Sequence, residues 1–142
     1  MKNLKLIHII SFGTIGVAIA LLILAIIWML FPYNAITFGE GNGEIINKEV
    51  EAGEYLQMRQ VYCKSGGYVT TVSRSYVDGF IYTAPSVLGK RPDGCHDVIE
   101  LIYVPKALNP GVYQISTNIT YHPNPMRSIT LNVTTEKFRV VE

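Results

Sequence analysis

A chain of 142 residues with 49% hydrophobic and only 16% charged side chains falls below the roughly 25% charge of an ordinary soluble domain. Lys and Arg number 12 against 11 Asp and Glu, a formal net charge of +1 with no basic stripe. These figures exclude a nucleic-acid binder, a multidomain enzyme and a polytopic transporter.

The apolar excess sits in Ile9 to Phe31, a run of 23 residues with no charge and with Ser11 and Thr14 as its only hydroxyls. As a helix it reaches roughly 34 Å, enough to cross a ~30 Å hydrocarbon layer with modest tilt. Trp28, Phe31 and Tyr33 gather at its C-terminal end, where amphipathic rings suit the headgroup level, and Pro32 stops it. Lys2 and Lys5 precede the run, and the next charge is Glu40. Positive-inside bias therefore predicts residues 1–8 as a cytoplasmic tail, 9–31 as a transmembrane helix in contact with the bilayer, and the rest on the far side. A cleaved signal peptide fits less well, because the apolar run exceeds about 15 residues and Phe31, Pro32, Tyr33 and Asn34 are not small.

Beyond the helix the pattern changes to alternation. Residues 32–43 read as a linker with a possible first strand, Ile36–Phe38, and a flexible stretch from Gly39 to Gly43; residues 44–142 read as one extracytoplasmic domain. Glu44–Asn47 is a weak strand candidate. Tyr55–Cys63, Tyr68–Val77, Phe80–Ala84 and Val98–Val104 read as strands, with Pro85–Gly94 as a loop. From Val112 to His122, Tyr113, Ile115, Thr117, Ile119 and Tyr121 take one face and polar residues the other, the period of a half-buried strand. Pro123, Asn124 and Pro125 break it, Ile129, Leu131 and Val133 form the return strand of a hairpin, and Phe138–Val141 makes a last short strand. The expected fold is mainly β: one N-terminal transmembrane α-helix followed by an antiparallel, immunoglobulin-like β-sandwich.

Cys63 and Cys95 are the only cysteines. Both fall in the exported part, where disulfides persist, and an even count leaves no orphan thiol, so one intramolecular disulfide is expected. The competing reading is a nucleophile, redox or metal site at Cys95-His96-Asp97. Alternation along a strand opposes it, since neighbouring side chains point to opposite faces. His122 reads as solvated, and Asp78, Asp93 and Asp97 as residues in or beside turns. The sequons Asn118-Ile119-Thr120 and Asn132-Val133-Thr134 say little, because about one is expected by chance. No catalytic, cofactor-binding or metal-ligating residue is assigned. All nine tyrosines lie beyond the apolar run, and Tyr113 and Tyr121 are expected in the core.

Pro110-Gly111-Val112-Tyr113, Tyr121-His122-Pro123-Asn124-Pro125-Met126-Arg127 and Thr135-Glu136-Lys137-Phe138, with Val77-Asp78-Gly79-Phe80-Ile81-Tyr82 and Gly94-Cys95-His96 upstream, resemble small single-pass membrane proteins of tailed bacteriophages. The resemblance implies a bacterial host membrane with the domain in the periplasm or outside, and carries over no functional residue. Three functions are then expected in order. The first is a non-enzymatic binding or scaffolding module with a protein partner. The second is an envelope enzyme or redox protein using Cys95 and His96. The third is a phage accessory factor acting on host entry or lysis.

Overall fold

A computed structural model describes residues 2–30, 34–78 and 81–142, with side chains from Gly13 onward. The expected helix stop at Pro32 with Phe31 and Tyr33, the turn at Gly79 and the strand start at Phe80 lie outside these residues. The chain divides into two compact units, residues 1–33 with 124–127, and residues 34–123 with 128–142.

In the first unit, helix α1 runs Lys2–Leu30. Its Gly13–Leu30 segment is long and apolar enough to cross a membrane, and none of it is buried. Ile15, Val17, Leu21, Leu22 and Leu30 each present more than half of their surface, an arrangement that water penalises and lipid does not. At the last turn, where helical carbonyls lack intrahelical donors, Asn124 Nδ2 donates to the Trp28 carbonyl (3.0 Å) and Arg127 Nη1 to that of Met29 (3.1 Å).

The second unit is mainly β. Its first sheet is built on β4 (Tyr55–Lys64), which pairs antiparallel with β8 (Gly94–Tyr103) from Tyr55 opposite Tyr103 to Lys64 opposite Gly94. Along its other edge β4 pairs with β1 (Ile36–Phe38) and β2 (Glu44–Ile45). The second sheet has the order β3 (Glu49–Glu51), β10 (Arg127–Val141), β9 (Gly111–Asn124), β5 (Thr70–Val77) and β6 (Ile81–Thr83), with β7 (Val87–Gly89) also on β5. Among the described residues one pairing is parallel, β3 with β10. A shared core joins the sheets: Leu56, Met58 and Ile102 from the first meet Tyr76, Tyr113, Ile115, Phe138 and Val140 from the second. Each such fully buried apolar side chain stabilises by about 1.5–3 kcal/mol. A smaller cluster of Ala35, Ile36 and Tyr121 lies towards the opposite end of the strands. Tyr113 and Tyr121 are both buried.

Several elements differ from the sequence reading. Residues 39–43 are not a free linker: Gly39 N donates to the Val61 carbonyl (2.8 Å), Gly43 N to that of Arg59 (2.9 Å), and Asn42 Oδ1 accepts from Val61 N (3.1 Å). Gly41 and Gly43 have φ of 80° and 86°, the left-handed values that glycine adopts without steric cost. The strand at Glu44 stops at Ile45 because the Asn47 side chain takes over the ladder, accepting from Gln57 N (2.6 Å) and donating to the Tyr55 carbonyl (3.2 Å). β3 and β7 appear where no strand is predicted, the latter inside the loop Pro85–Gly94. β9 continues through Pro123, which is tolerated at a strand end beside a turn.

β10 is one strand rather than two. Its inward side chains are Ile129, Leu131, Val133 and Thr135, then Phe138 and Val140, so the parity changes between 135 and 138. That change marks one extra residue, a β-bulge. Thr135 Oγ1 accepts from Ile115 N (3.0 Å) there, a side chain standing in for a ladder carbonyl.

Candidate functional site

The Cys95-His96-Asp97 triplet does not converge. Cys63 and Cys95 are directly opposed in the β4–β8 register, with Cα atoms 3.9 Å apart and sulfurs at 2.04 Å, a disulfide-bonded pair. Asp97 turns to the same outer face but is occupied by Arg59, whose Nε and Nη2 donate to its two oxygens at 2.9 and 2.7 Å. This guanidinium holds the Asp97 carboxyl below the usual carboxylate range. His96 sits opposite Tyr62, with ring centroids 5.3 Å apart, and its Nε2 lies 3.0 Å from the Pro92 carbonyl oxygen.

The site that the fold does build lies between the sheets. Along β4 the inward residues run Leu56, Met58, Gln60, Tyr62, Lys64; along β9 they run Tyr113, Ile115, Thr117, Ile119, Tyr121. Both series are apolar at one end, the main core, and return to aromatic packing near the smaller cluster. In the middle a polar rung interrupts them: Gln60 on β4, Glu100 on β8, Arg74 on β5 and Thr117 on β9. Arg74 is directly opposite Thr117 in the β5–β9 register. The rung opens into a cavity of about 510 Å³ with apolar walls that include Met58, Val72, Leu88, Ile119 and Val133, within the 300–1,000 Å³ range of small-molecule sites.

Arg74 Nη2 donates to Glu100 Oε2 at 2.7 Å across the gap between the sheets, with side chains 15% and 25% exposed. Gln60 Nε2 donates to the same oxygen. Removing one partner from so sheltered a pair would strand the other charge. Two polar atoms of the rung have no partner although both are buried: Arg74 Nε and Thr117 Oγ1. Further along, Lys64 is 8% exposed and its Nζ donates to the Arg91 carbonyl at 2.8 Å. Arg91 Nη1 reaches the Tyr62 hydroxyl at 3.4 Å, and Thr70 Oγ1 donates to the Gly89 carbonyl at 3.3 Å. Val87 to Pro92 thus form one wall that is tied to both sheets, with Val87 and Leu88 exposed.

A second feature is the outer face of β8. Ile99, Leu101 and Tyr103 are exposed there, beside Tyr55, whose ring lies edge-on to Tyr103 at 5.7 Å. Among the described residues β8 pairs with β4 alone.

Comparison with known protein families and with characterised proteins finds no match.

None of the cavity residues is assigned a role from the sequence. A signal for Arg74 was present, since Thr70, Val72, Arg74 and Tyr76 share the parity of β5 that carries its aromatic ring. Glu100 had none. On β8 the parity of Ile99, Leu101 and Tyr103 is the more apolar, yet it faces outward while His96, Val98 and Glu100 face in.

Proposed function

We propose that this protein is a single-pass, membrane-anchored binding protein whose β domain, on the side of the membrane away from the N-terminus, takes a small ligand between its two sheets. The observation that carries this reading is the inter-sheet cavity with unpartnered, buried polar atoms on an otherwise satisfied rung. Natural interiors pair nearly all such atoms, and binding sites are where the exceptions gather. Binding rather than catalysis is supported by the separation of Cys95, His96 and Asp97 onto different contacts. The immunoglobulin-like reading of the domain is supported by its layout, with β1, β2, β4 and β8 in one sheet and β5, β9 and β10 in the other. The bacteriophage resemblance, and Lys2 and Lys5 ahead of an apolar run with no charge after it until Glu40, favour a cytoplasmic tail and a domain in the host periplasm or outside the cell. A protein partner would find its apolar contact on the outer face of β8.

A fluorine NMR screen of small fluorinated fragments tests the cavity, with the full chain in lipid nanodiscs and empty nanodiscs as the blank. Fragments that bind the wild type are expected to lose binding to Val72→Phe, which fills the space, once circular dichroism shows that variant folded. A screen in which no fragment discriminates the two proteins overturns the reading. Orientation is tested separately by protease added outside spheroplasts: the β domain is expected to be degraded, and its full protection would reverse the topology.

A further inference from the structure

We infer that the ligand of the inter-sheet cavity is a small organic anion, a carboxylate or similar head on an apolar body, with the head seated on the Arg74–Thr117 rung. This rests on the cavity being a ligand site. Three observations lead to it, beginning with the unpartnered atoms.

Arg74 Nε can only donate, and the Thr117 hydroxyl can donate as well. They belong to residues directly opposed on neighbouring strands, β5 and β9, and Thr117 is only 3% exposed. Two buried donors side by side call for one group with two acceptor oxygens, which is what a carboxylate offers. Glu100 does not fill this role, because its contacts are to Arg74 Nη2 and Gln60.

Charge selects an anion over a neutral acceptor. The lining holds Lys64, Arg74, Lys90 and Arg91 against the single carboxylate of Glu100. Lys64 matters most, since it is nearly buried and its Nζ bonds a carbonyl, while the ion pairs of the described residues do not include it. A sheltered ammonium without a counter-charge is costly, and an anion entering the same cavity relieves it.

The walls supply the third observation. Val72 and Ile119 are opposed next to the rung on β5 and β9, and Met58, Leu88 and Val133 complete an apolar lining. A purely inorganic anion would leave these surfaces wetted, whereas an aromatic or aliphatic body covers them.

The test uses the full chain in lipid nanodiscs, titrated with para-(trifluoromethyl)benzoate and with its shape-matched neutral amide, both read by fluorine NMR. At neutral pH the acid is expected to bind about tenfold more tightly than the amide, the share of one charge-assisted hydrogen bond. Thr117→Val, which keeps the shape, and Arg74→Lys, which keeps a cation beside Glu100 but has no Nε donor, should each weaken the acid more than the amide and so remove most of that margin. Equal binding of acid and amide overturns the anion while the cavity stands as a ligand site. An acid preference that survives both variants overturns the head-group position. Binding of neither probe, together with a fragment screen that finds no ligand, overturns the cavity reading itself.

Discussion

Breaking the Cys63–Cys95 bond should weaken the β domain chiefly by freeing its unfolded chain. The two residues are separated by 32 positions, and in the chain-entropy account closing such a loop removes roughly 3–4 kcal/mol of conformational freedom from the denatured ensemble. The structure argues that the native state adds little to this figure. Both cysteines already face each other one rung from the end of the ten-residue β4–β8 ladder, so the backbone stays in register without the link. The closed loop also spans β5, β6 and β7, strands of the opposite sheet, so one covalent bond limits how far the two sheets separate on unfolding. For a domain of this size, at roughly 4–8 °C per kcal/mol, the loss corresponds to a fall in Tm of roughly 12–32 °C. The assay is thermal melting of the full chain, followed by tyrosine near-ultraviolet dichroism, with and without reductant and with the double variant Cys63→Ser, Cys95→Ser. The reduced and variant proteins should give the native near-ultraviolet spectrum at low temperature and melt together. A fall in stability below about 1 kcal/mol, or two titratable thiols in the unreduced, denatured chain, would refute the reasoning.

Phe138→Ala should cost about 3–5 kcal/mol in urea unfolding, because the ring is 2% exposed and packs against Tyr76 and Tyr113 at centroid distances of 6.5 and 6.3 Å. Tyr76→Phe should cost about 1 kcal/mol, since the Tyr76 hydroxyl donates to the Tyr103 carbonyl at 2.6 Å and ties the sheets together. Burial pushes that phenol up to about 12; the unfolded chain then loses its proton first, so stability should be full below pH ~10 and fall as pH rises from there towards 12. Urea midpoints measured through that window should decline less steeply in Tyr76→Phe, and parallel declines would remove Tyr76 as the cause. Asp97, lowered by the Arg59 hydrogen bonds, has the opposite sign: its contribution is present above the ordinary carboxylate range and is lost as pH falls through the depressed value. Arg59→Met should bring the Asp97 carboxyl titration, followed by carbon-detected NMR, back up to the ordinary range, and an unmoved titration would exclude the pairing in solution.

Strand identity was legible wherever one face alone is apolar. Tyr113, Ile115, Ile119 and Tyr121 on β9 mark such a face, as do Leu56 and Met58 on β4. A strand is invisible to pattern where tertiary pairing alone makes it. Glu49-Val50-Glu51 has a single apolar residue between two charges and becomes a strand only because β10 lies beside it. The bulge near Glu136 flips the inward parity of β10, and a flip of period two reads from sequence as an interruption. The cavity was hidden for a related reason. Its polar rung combines single residues from four strands, each unremarkable alone, and on β8 the apolar parity points away from the core, so pattern reasoning turns Glu100 outward. The resemblance to phage membrane proteins offered no help here, because it carries no functional residue.

The parallel pairing of Arg139, Val140 and Val141 with Glu49, Val50 and Glu51 joins segments ninety positions apart. On a ribosome, Val50 emerges long before its partner exists, and through all that interval one edge of the sheet has no strand to pair with. Closure of the second sheet is therefore a late event in the life of each molecule, which makes folding slow and leaves a nascent edge for chaperones or neighbouring chains to find. The charges that flank Val50, Glu49 and Glu51, suit such a wait, since paired carboxylates on an open edge discourage adventitious strand addition until β10 arrives.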